Sequence, residues 1–330
     1  MNILITGACG FIGSHLVEKL VKENHNVRAF TFYNSRNSHG WLDDTDSKIL
    51  KDLDLISGDI RDYDLLYKQT KKIDVIVHLA ALIGIPYSYH AVKSYIDTNI
   101  TGTYNVLNSA RANNVSKTII TSTSEVYGTA QSVPIKENHL LNAQSPYAAS
   151  KIAADQLALS FYKSYGLPVT IIRPFNTFWP RQSARAIIPT IVTQLLKEKV
   201  IRLGNLTPTR DFTYIEDTVN AFISATKTKK ISGEVINIGN KFEISIKDIL
   251  KIINKDFGYN FDFKIDKKRV RNKNSEVYRL YASNAKAEKI LKWIPKYSGL
   301  GGFKKALEKT INWFEDSKNL KYYNSDTYNI

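Results

Sequence analysis

The sequence predicts an α/β protein, a doubly wound parallel sheet with a smaller C-terminal α/β lobe for substrate. Three observations lead there. Asn2 to Thr6 (NILIT) is a short apolar run, Gly7, Gly10 and Gly13 follow at three-residue spacing, and Phe11 to Lys22 repeats apolar residues at helical period. Further short apolar runs alternate with helical stretches, the pattern of a parallel sheet covered on both faces. The 330 residues, 43% of them hydrophobic, suffice for a full sheet domain and a second lobe. Residues 1–175 are assigned to the sheet, with a strand and a helix returned from about 205–240, and residues 176–330 mainly to the substrate lobe.

The strand, turn and helix at the start of the chain make an anion site. Glycines let backbone N–H groups approach a pyrophosphate, and the helix opening at Phe11 and Ile12 turns its positive end to the same group. Gly7, Gly10, Phe11, Ile12 and Gly13 are therefore candidate contacts for a dinucleotide. The second strand, Asn26 to Phe32, ends in Thr31 and Phe32 where an acidic residue would bond the ribose hydroxyls of NAD. Asn34, Ser35 and Arg36 follow with donors and a positive charge, which favours NADP over NAD. The third strand, Leu53 to Ser57, runs into Asp59 and Ile60, and the fourth, Asp74 to His78, into Leu79, Ala80 and Ala81. Both ends fall where ligands bind in parallel sheets, with Asp59 placed to reach an adenine amino group and the alanines leaving room beside the backbone. A long helical stretch from Ala91 to Asn113 then leads to a fifth strand at Lys117 to Thr121.

Chemistry enters where that strand ends, at Ser122-Thr123-Ser124-Glu125-Val126-Tyr127-Gly128. The next helix opens with Ser145-Pro146-Tyr147-Ala148-Ala149-Ser150-Lys151; proline suits its first turn, and Tyr147 and Lys151, four apart, share one face. A tyrosine is a poor base at its ordinary pKa of about 10. An ammonium roughly 5 Å away, at an effective dielectric of about 20, would contribute about 3 kcal/mol, or around 2 pKa units, toward the phenolate.

Composition narrows the classes. The single cysteine, Cys9, lies in the glycine turn, so no intrachain disulfide forms, and no metal-ligand spacing occurs. No long apolar span or leader-like segment is present, and the expected location is the cytoplasm, with no membrane partner. The formal net charge is +15, from 46 Lys and Arg against 31 Asp and Glu, and such a balance suits polyanions. The lysines are mostly scattered, however, so no nucleic-acid partner is expected. Lys264 to Lys273 (KIDKKRVRNK) is the exception, a basic cluster suited to a diphosphate.

Together these residues resemble the extended short-chain dehydrogenase/reductase family over nearly the whole chain. Gly7, Gly10 and Gly13 match its GxxGxxG, Asp59 its GDxxD segment, His78 to Ala81 its HxAA, and Tyr147 with Lys151 its catalytic pair. The resemblance implies a Rossmann-type domain and a tightly bound, recycled NADP or NAD. It implies Tyr147 as general base for alcohol oxidation, Lys151 tuning it and holding the nicotinamide ribose, and Thr123 bonding the sugar hydroxyl. Thr123-Ser124-Glu125 looks like GDP-mannose 4,6-dehydratase and related sugar-nucleotide dehydratases, and UDP-glucuronate decarboxylases carry it too. The run RQSARAIIPT after Pro180 looks most like N-acetylglucosamine nucleotide 4,6-dehydratases of the legionaminic-acid type. Trp179 in place of a usual glycine and Asn272 in place of a usual proline depart from the pattern.

On the substrate side the resemblance implies that Asn176, Arg210 and Arg271 contact the diphosphate of a nucleotide sugar, that Arg185 lies at the pocket rim, and that Glu276 fits the GDP-mannose dehydratase pattern. Guanidinium forks suit such a diphosphate. The implied reaction oxidises C4, eliminates water across C5 and C6 with Glu125 and Ser124 moving the protons, and returns hydride to C6. GDP- or UDP-N-acetylglucosamine would become a 4-keto-6-deoxy sugar nucleotide. A UDP-glucuronate decarboxylase, a sugar-nucleotide 4-epimerase and, as a non-enzyme, a nucleic-acid-binding protein on a degenerate scaffold stay open. Helices near 91–113 and 146–165 are expected to join two copies as a homodimer, and the polar residues 319–330 to be loose.

Overall fold

The structure, a computed structural model, describes residues 1–323. Its strands in chain order are β1 (Asn2–Thr6), β2 (Asn26–Phe32), β3 (Leu53–Gly58), β4 (Val75–His78), β5 (Lys117–Thr121), β6 (Val169–Pro174), β7 (Asn176–Phe178), β8 (Val200–Leu203), β9 (Thr209–Tyr214), β10 (Val235–Ile238), β11 (Glu243–Ser245) and β12 (Asp262–Ile265). The main sheet has seven parallel strands in the order β10-β6-β5-β4-β1-β2-β3. Its central strands are Ile- and Val-rich and buried along nearly their whole length, as a sheet covered by helices on both faces requires. β1 and β4 are neighbours, with Ile3 opposite Val75 and Thr6 opposite His78, yet the chain leaves them toward opposite edges. The crevice beyond their carboxyl ends is therefore a topological switch point, the place where such sheets bind ligands.

The stretch expected to return to the sheet divides between two layers. Helix Ile215–Lys227 packs Val219 and Phe222 into the core shared with Leu16 and Leu20 of helix Phe11–Lys22, and β10 pairs with β6. β9 instead joins β7 and β11 in a separate three-stranded sheet, over a second core that includes Phe178, Phe212 and Phe303. Trp179 sits between the two cores, edge-on to Tyr214 at 4.4 Å. The bulk that departs from the family pattern is thus absorbed by packing at the seam.

Two local features shape the site. The expected helix over 91–113 is interrupted: Val92–Tyr95 runs into a wider π-type turn, Ile96–Thr101, before helix Gly102–Ala112. Such bulges gather at functional positions because they re-aim side chains. Here Asn99 is turned inward, its amide bonding both backbone groups of Leu82 and Ser150 Oγ at 2.8–2.9 Å. Helix Pro146–Tyr165 begins at Ser145, whose Oγ accepts from Ala148 N at 3.1 Å, and ends at Gly166, whose φ of +68° suits a residue without Cβ. Tyr147, Lys151, Asp155 and Ala158 lie along its buried face.

The tail differs from its expectation. Tyr323 is buried, and Tyr322 and Tyr323 pack on Trp41 with ring centroids 5.2 and 6.2 Å away, because Trp41, Trp313 and Phe314 offer them an apolar socket. Tyr322 also donates to Asp44 at 2.9 Å. Residues 324–330 lie outside the described residues.

Candidate active site

Four segments meet at the carboxyl edge of the sheet: the glycine turn after β1, residues 79–82 after β4, residues 122–127 after β5, and the first turns of helix Pro146–Tyr165. The turn fits the pyrophosphate of a dinucleotide. Gly7 has φ +69°, and a Cβ there would stand 2.7 Å from Ala80 N; at Gly13 it would stand 2.2 Å from Gly7 O. Gly10 caps helix Phe11–Lys22 without a side-chain bond, so no side chain covers the first-turn N–H groups at Phe11 and Ile12. Ala80 N donates to Thr6 Oγ1 at 3.3 Å, holding Leu79 to Ala81 against the turn.

The groups expected at the adenosine end of a dinucleotide are arranged differently from the simplest expectation. Thr31 is buried and donates to Ile56 O, so it faces the sheet. Asn34 uses its amide within its own loop, accepting from Arg36 N and Ser38 N at 3.1 and 3.3 Å and donating to Ser38 O at 2.7 Å. Ser35 and Arg36 are exposed at the loop tip. Asp59 is held by Arg61, whose side-chain hydrogen bond keeps that carboxyl below its usual range, and Ile60 beside it is buried. His39, Gly40 and Trp41 fold the loop back on the turn: Trp41 N donates to Cys9 O at 3.1 Å.

At the catalytic candidates, Thr123, Ser124, Glu125, Tyr147 and Lys151 are all less than one tenth exposed. Thr123 caps a short 3-10 turn, its Oγ1 accepting from Glu125 N at 3.2 Å, which places Glu125 four residues past the end of β5 and buried. Burial raises Tyr147 above its ordinary pKa; a hydrogen bond from Thr123 works against this, and the charge of Glu125 adds to it. Lys151 does not overcome that burial. Its Nζ donates to Thr121 O at 2.7 Å, and burial pushes the ammonium down to about 8, with Asp155 opposing. The sequence estimate counted the lysine's charge but not the desolvation of both groups, and desolvation is the larger effect. His78 lies between Thr6 Oγ1 (2.7 Å) and Thr103 Oγ1 (3.1 Å), and burial, with Lys151 nearby, pushes it down to about 3 and keeps it neutral.

On the other side of Glu125 stands an arginine pair. Arg210 and Arg271 approach the same oxygen of Glu276 at 3.6 and 3.7 Å. Burial, with Arg271 adding, makes Arg210 easier to deprotonate, while Glu125 and Glu276 stabilise its charge. Beyond that ion pair, Arg271 Nη1 is buried with no hydrogen-bond partner among the described residues, as is Asn176 Oδ1 at the start of β7. Buried donors and acceptors left open in this way suit a polar ligand. A cleft of about 1070 Å³ opens beside Arg271, lined also by Tyr89, His90, Gln144, Lys268 and Lys273, with no carboxylate among its lining residues. Part of the basic cluster 264–273 thus faces this cleft, while Tyr147, Glu125 and Arg210 lie outside it. Arg185 is exposed, its Nε donating to Ser183 Oγ at 3.1 Å and its charge felt by the Tyr95 hydroxyl. Arg181 turns away and pairs with Glu18 of the first helix at 2.8 Å.

Several polar residues here carry no sequence motif of their own. Asn99, Ser150, Gln144 and Arg173 each sit in stretches whose pattern reads as ordinary helix, loop or strand. Asp155 had a signal, since it follows Lys151 by four and falls on the same helical face. Among the described residues, no group of three or more His, Cys, Asp or Glu is placed to hold a metal ion, and no helix is long and apolar enough to cross a membrane.

Similarity to known proteins agrees with this geometry. The family model described as GDP-mannose 4,6 dehydratase matches residues 4–306. The chain belongs to the GDP-mannose 4,6-dehydratase family. It is 31% identical over 337 residues to the dTDP-D-glucose 4,6-dehydratase of Homo sapiens, covering 96% of this chain and 90% of that one. It is also 31% identical over 338 residues to the UDP-N-acetyl-alpha-D-glucosaminuronate decarboxylase of Bacillus cytotoxicus, covering 96% and 98%. The UDP-glucuronic acid 4-epimerase of Bacillus cereus, solved with UDP-glucuronic acid and NAD, superimposes with a TM-score of 0.86 at 31% identity, over 98% of this chain and all of that one. A family member's fold is therefore in place, while its relatives divide among dehydration, decarboxylation and epimerisation.

Proposed function

We propose that this chain is a sugar-nucleotide 4,6-dehydratase acting on GDP- or UDP-N-acetylglucosamine, with GDP ahead, to give the 4-keto-6-deoxy sugar nucleotide. The observation that carries the reading is Glu125, a buried carboxylate whose charge is felt by both Tyr147 and Arg210. That position, next to the tyrosine assigned as the C4 base and to the arginines assigned to the diphosphate, supports Glu125 as the base for a sugar C5 proton. The resemblance of Pro180 to Thr190 to legionaminic-type enzymes supports N-acetylglucosamine, and Glu276 with Thr-Ser-Glu supports guanine.

In this reading Gly7, Gly10, Phe11, Ile12 and Gly13 hold the cofactor pyrophosphate, Asp59 and Ile60 its adenine, and Leu79 to Ala81 its path across the sheet. NADP is favoured over NAD, on Arg36 and on the absence of a carboxylate at the end of β2; the Bacillus cereus neighbour is named with NAD. When bound, the cofactor takes up hydride and later returns it. Thr123 orients the C4 hydroxyl and Tyr147 removes its proton, with Lys151 supplying the adjacent positive charge. The resulting ketone acidifies the C5 hydrogen. Glu125 then removes that proton and, with Ser124, protonates the departing C6 oxygen so that water leaves. Arg210, Arg271 and Asn176 hold the diphosphate, the basic cleft takes the nucleotide end, and Arg185 borders the sugar.

The same reading makes the chain a cytoplasmic homodimer. Val92, Ile96 and Tyr104 of the interrupted helix and Tyr162 and Tyr165 of the next are more than a third exposed, a surface suited to a second copy. The deciding experiment is mass spectrometry of protein incubated with a panel of GDP- and UDP-sugars. Loss of water from N-acetylglucosamine nucleotides supports the proposal. Carbon dioxide from a uronic-acid nucleotide, or an isomer of unchanged mass, would replace it with a decarboxylase or an epimerase.

A further inference from the structure

Three segments that carry the site are distant in the chain and need a physical reason to keep their spacing: the turn after β5 with Glu125, the start of helix Pro146–Tyr165 with Tyr147, and residues 271–276 with Arg271 and Glu276. One side chain joins them. Gln144 stands just before the cap Ser145, and its Oε1 accepts from Thr129 N at 2.5 Å, just past the turn after β5. Its Nε2 donates to Glu276 O at 3.0 Å and to Asn274 O at 3.1 Å, 132 and 130 positions away. Ser275 Oγ fastens the same segment to the main chain, donating to Gln144 O at 2.6 Å. An uncharged amide suits this place because it offers an acceptor to an N–H and two donors to two carbonyls at once. The backbone leaves room for it: Gly128 has φ +62°, and a Cβ there would stand 2.6 Å from Gln144 Oε1.

The pinned segment matters because of what Glu276 holds. Its carboxylate is the ion-pair partner shared by Arg210 of β9 and by Arg271, at 3.6 and 3.7 Å. A shift of the Glu276 main chain therefore displaces the common anchor of both guanidinium groups relative to Tyr147 and Glu125. We propose that Gln144 is a positioning residue for the reaction: through Glu276 it sets the arginine pair at a fixed distance from the acid–base groups, which an anionic substrate must reach at both ends. The inference rests on the reading of the arginine pair as the diphosphate site of a sugar-nucleotide enzyme, but its physical content, the junction at Gln144, can be read without catalysis.

Gln144→Met keeps the length of the side chain and removes its hydrogen bonds to Thr129, Asn274 and Glu276, while Ser275 Oγ still holds the main chain at position 144. In calorimetric titrations with UDP and GDP, affinity should fall by about tenfold, the size of one or two lost hydrogen bonds. Dinucleotide affinity should stay at the wild-type level, since the glycine turn and its contact with Ala80 are untouched. In a Glu276→Gln background the same substitution should cost less than about threefold, because the route through the carboxylate is already cut. In turnover KM for the sugar nucleotide should rise while kcat holds, as for a contact made alike before and during reaction. UDP and GDP affinities equal to wild type, an undiminished loss in the Glu276→Gln background, or a fall in kcat with KM unchanged overturns the proposal. Should Gln144→Met fail to fold, Gln144→Asn decides by the same titrations, its amide being one methylene short of the 274 and 276 carbonyls. A wild type that binds neither UDP nor GDP would defeat the functional reading instead. Hydrogen exchange over residues 272–279 of the ligand-free protein then decides the junction, faster exchange in the variant supporting it and equal exchange overturning it.

Discussion

Replacing Glu125 by glutamine keeps the size of the side chain and removes its charge, so it separates the two proton transfers assigned to this pocket. The fold should survive, because Arg210 retains Glu276 at 3.6 Å and the short turn after β5 is held by Thr123 Oγ1 and the Glu125 main-chain N–H, which the substitution does not touch. The Tyr147 hydroxyl loses a neighbouring negative charge that raises its pKa, so its titration should move down and proton removal from the C4 hydroxyl should be undiminished. Proton removal at C5 has no other carboxylate positioned for it in this reading. A positioned general acid–base contributes about 10²–10⁴-fold, which at about 1.4 kcal/mol per decade corresponds to roughly 3–5 kcal/mol of barrier. The assay is incubation in deuterium oxide followed by mass spectrometry of both substrate and product. Dehydration should fall by two or more decades, and recovered substrate should carry no deuterium at C5, while cofactor binding stays at the wild-type level. Dehydration within tenfold of wild type, or C5 exchange at the wild-type rate, would remove Glu125 from the chemistry.

Four further outcomes are expected. Binding titrations should show tighter binding of NADP than NAD, with Arg36→Ala narrowing the gap; equal affinities in the unaltered protein would show that the loop after β2 was misread. Gly13→Ala places a Cβ 2.2 Å from Gly7 O, so overpacking of about 1–3 kcal/mol should lower the melting temperature and weaken dinucleotide binding in calorimetry, and an unchanged profile would refute the close approach. In the ligand-free protein, Tyr147 lies above its ordinary pKa through burial, so the ultraviolet phenolate difference between wild type and Tyr147→Phe should be flat below about pH 10; a step near neutrality would mean that a cation outweighs desolvation. Trp41→Ala removes a half-buried ring that meets Trp313, Tyr322 and Tyr323 at 5.2–6.2 Å, at an expected cost of about 2–3 kcal/mol, visible as a shifted denaturation midpoint.

The parts of this protein legible in its sequence are those set by local rules. β1, the glycine turn and helix Phe11–Lys22 follow from strand burial, missing Cβ atoms and helical period, and the Tyr147/Lys151 face follows from spacing alone. Long-range placement was less visible. The π-type turn that aims Asn99 at Leu82 and Ser150 lies inside an unbroken helical pattern, and the sharing of Glu276 by Arg210 and Arg271 joins positions far apart in the chain. The burial that raises Tyr147 in the ligand-free protein was not visible either, because spacing reveals which groups are neighbours and conceals how dry they are. Trp179, a departure in the motif, was explained only by a seam between two cores that periodicity cannot define.

The aromatic clasp between Trp41 and residues 322–323 ties two stretches that lie far apart along the chain: Tyr322 and Asp44, which share a hydrogen bond beside it, are 278 positions apart. A contact of such range closes only after much of the intervening chain is ordered, because the entropy of closing the loop is lost before the contact repays it. The socket around Trp41 therefore belongs to the late steps of folding, and a weakened clasp should loosen the loop after β2 while leaving the parallel sheet, built from nearer neighbours, in place.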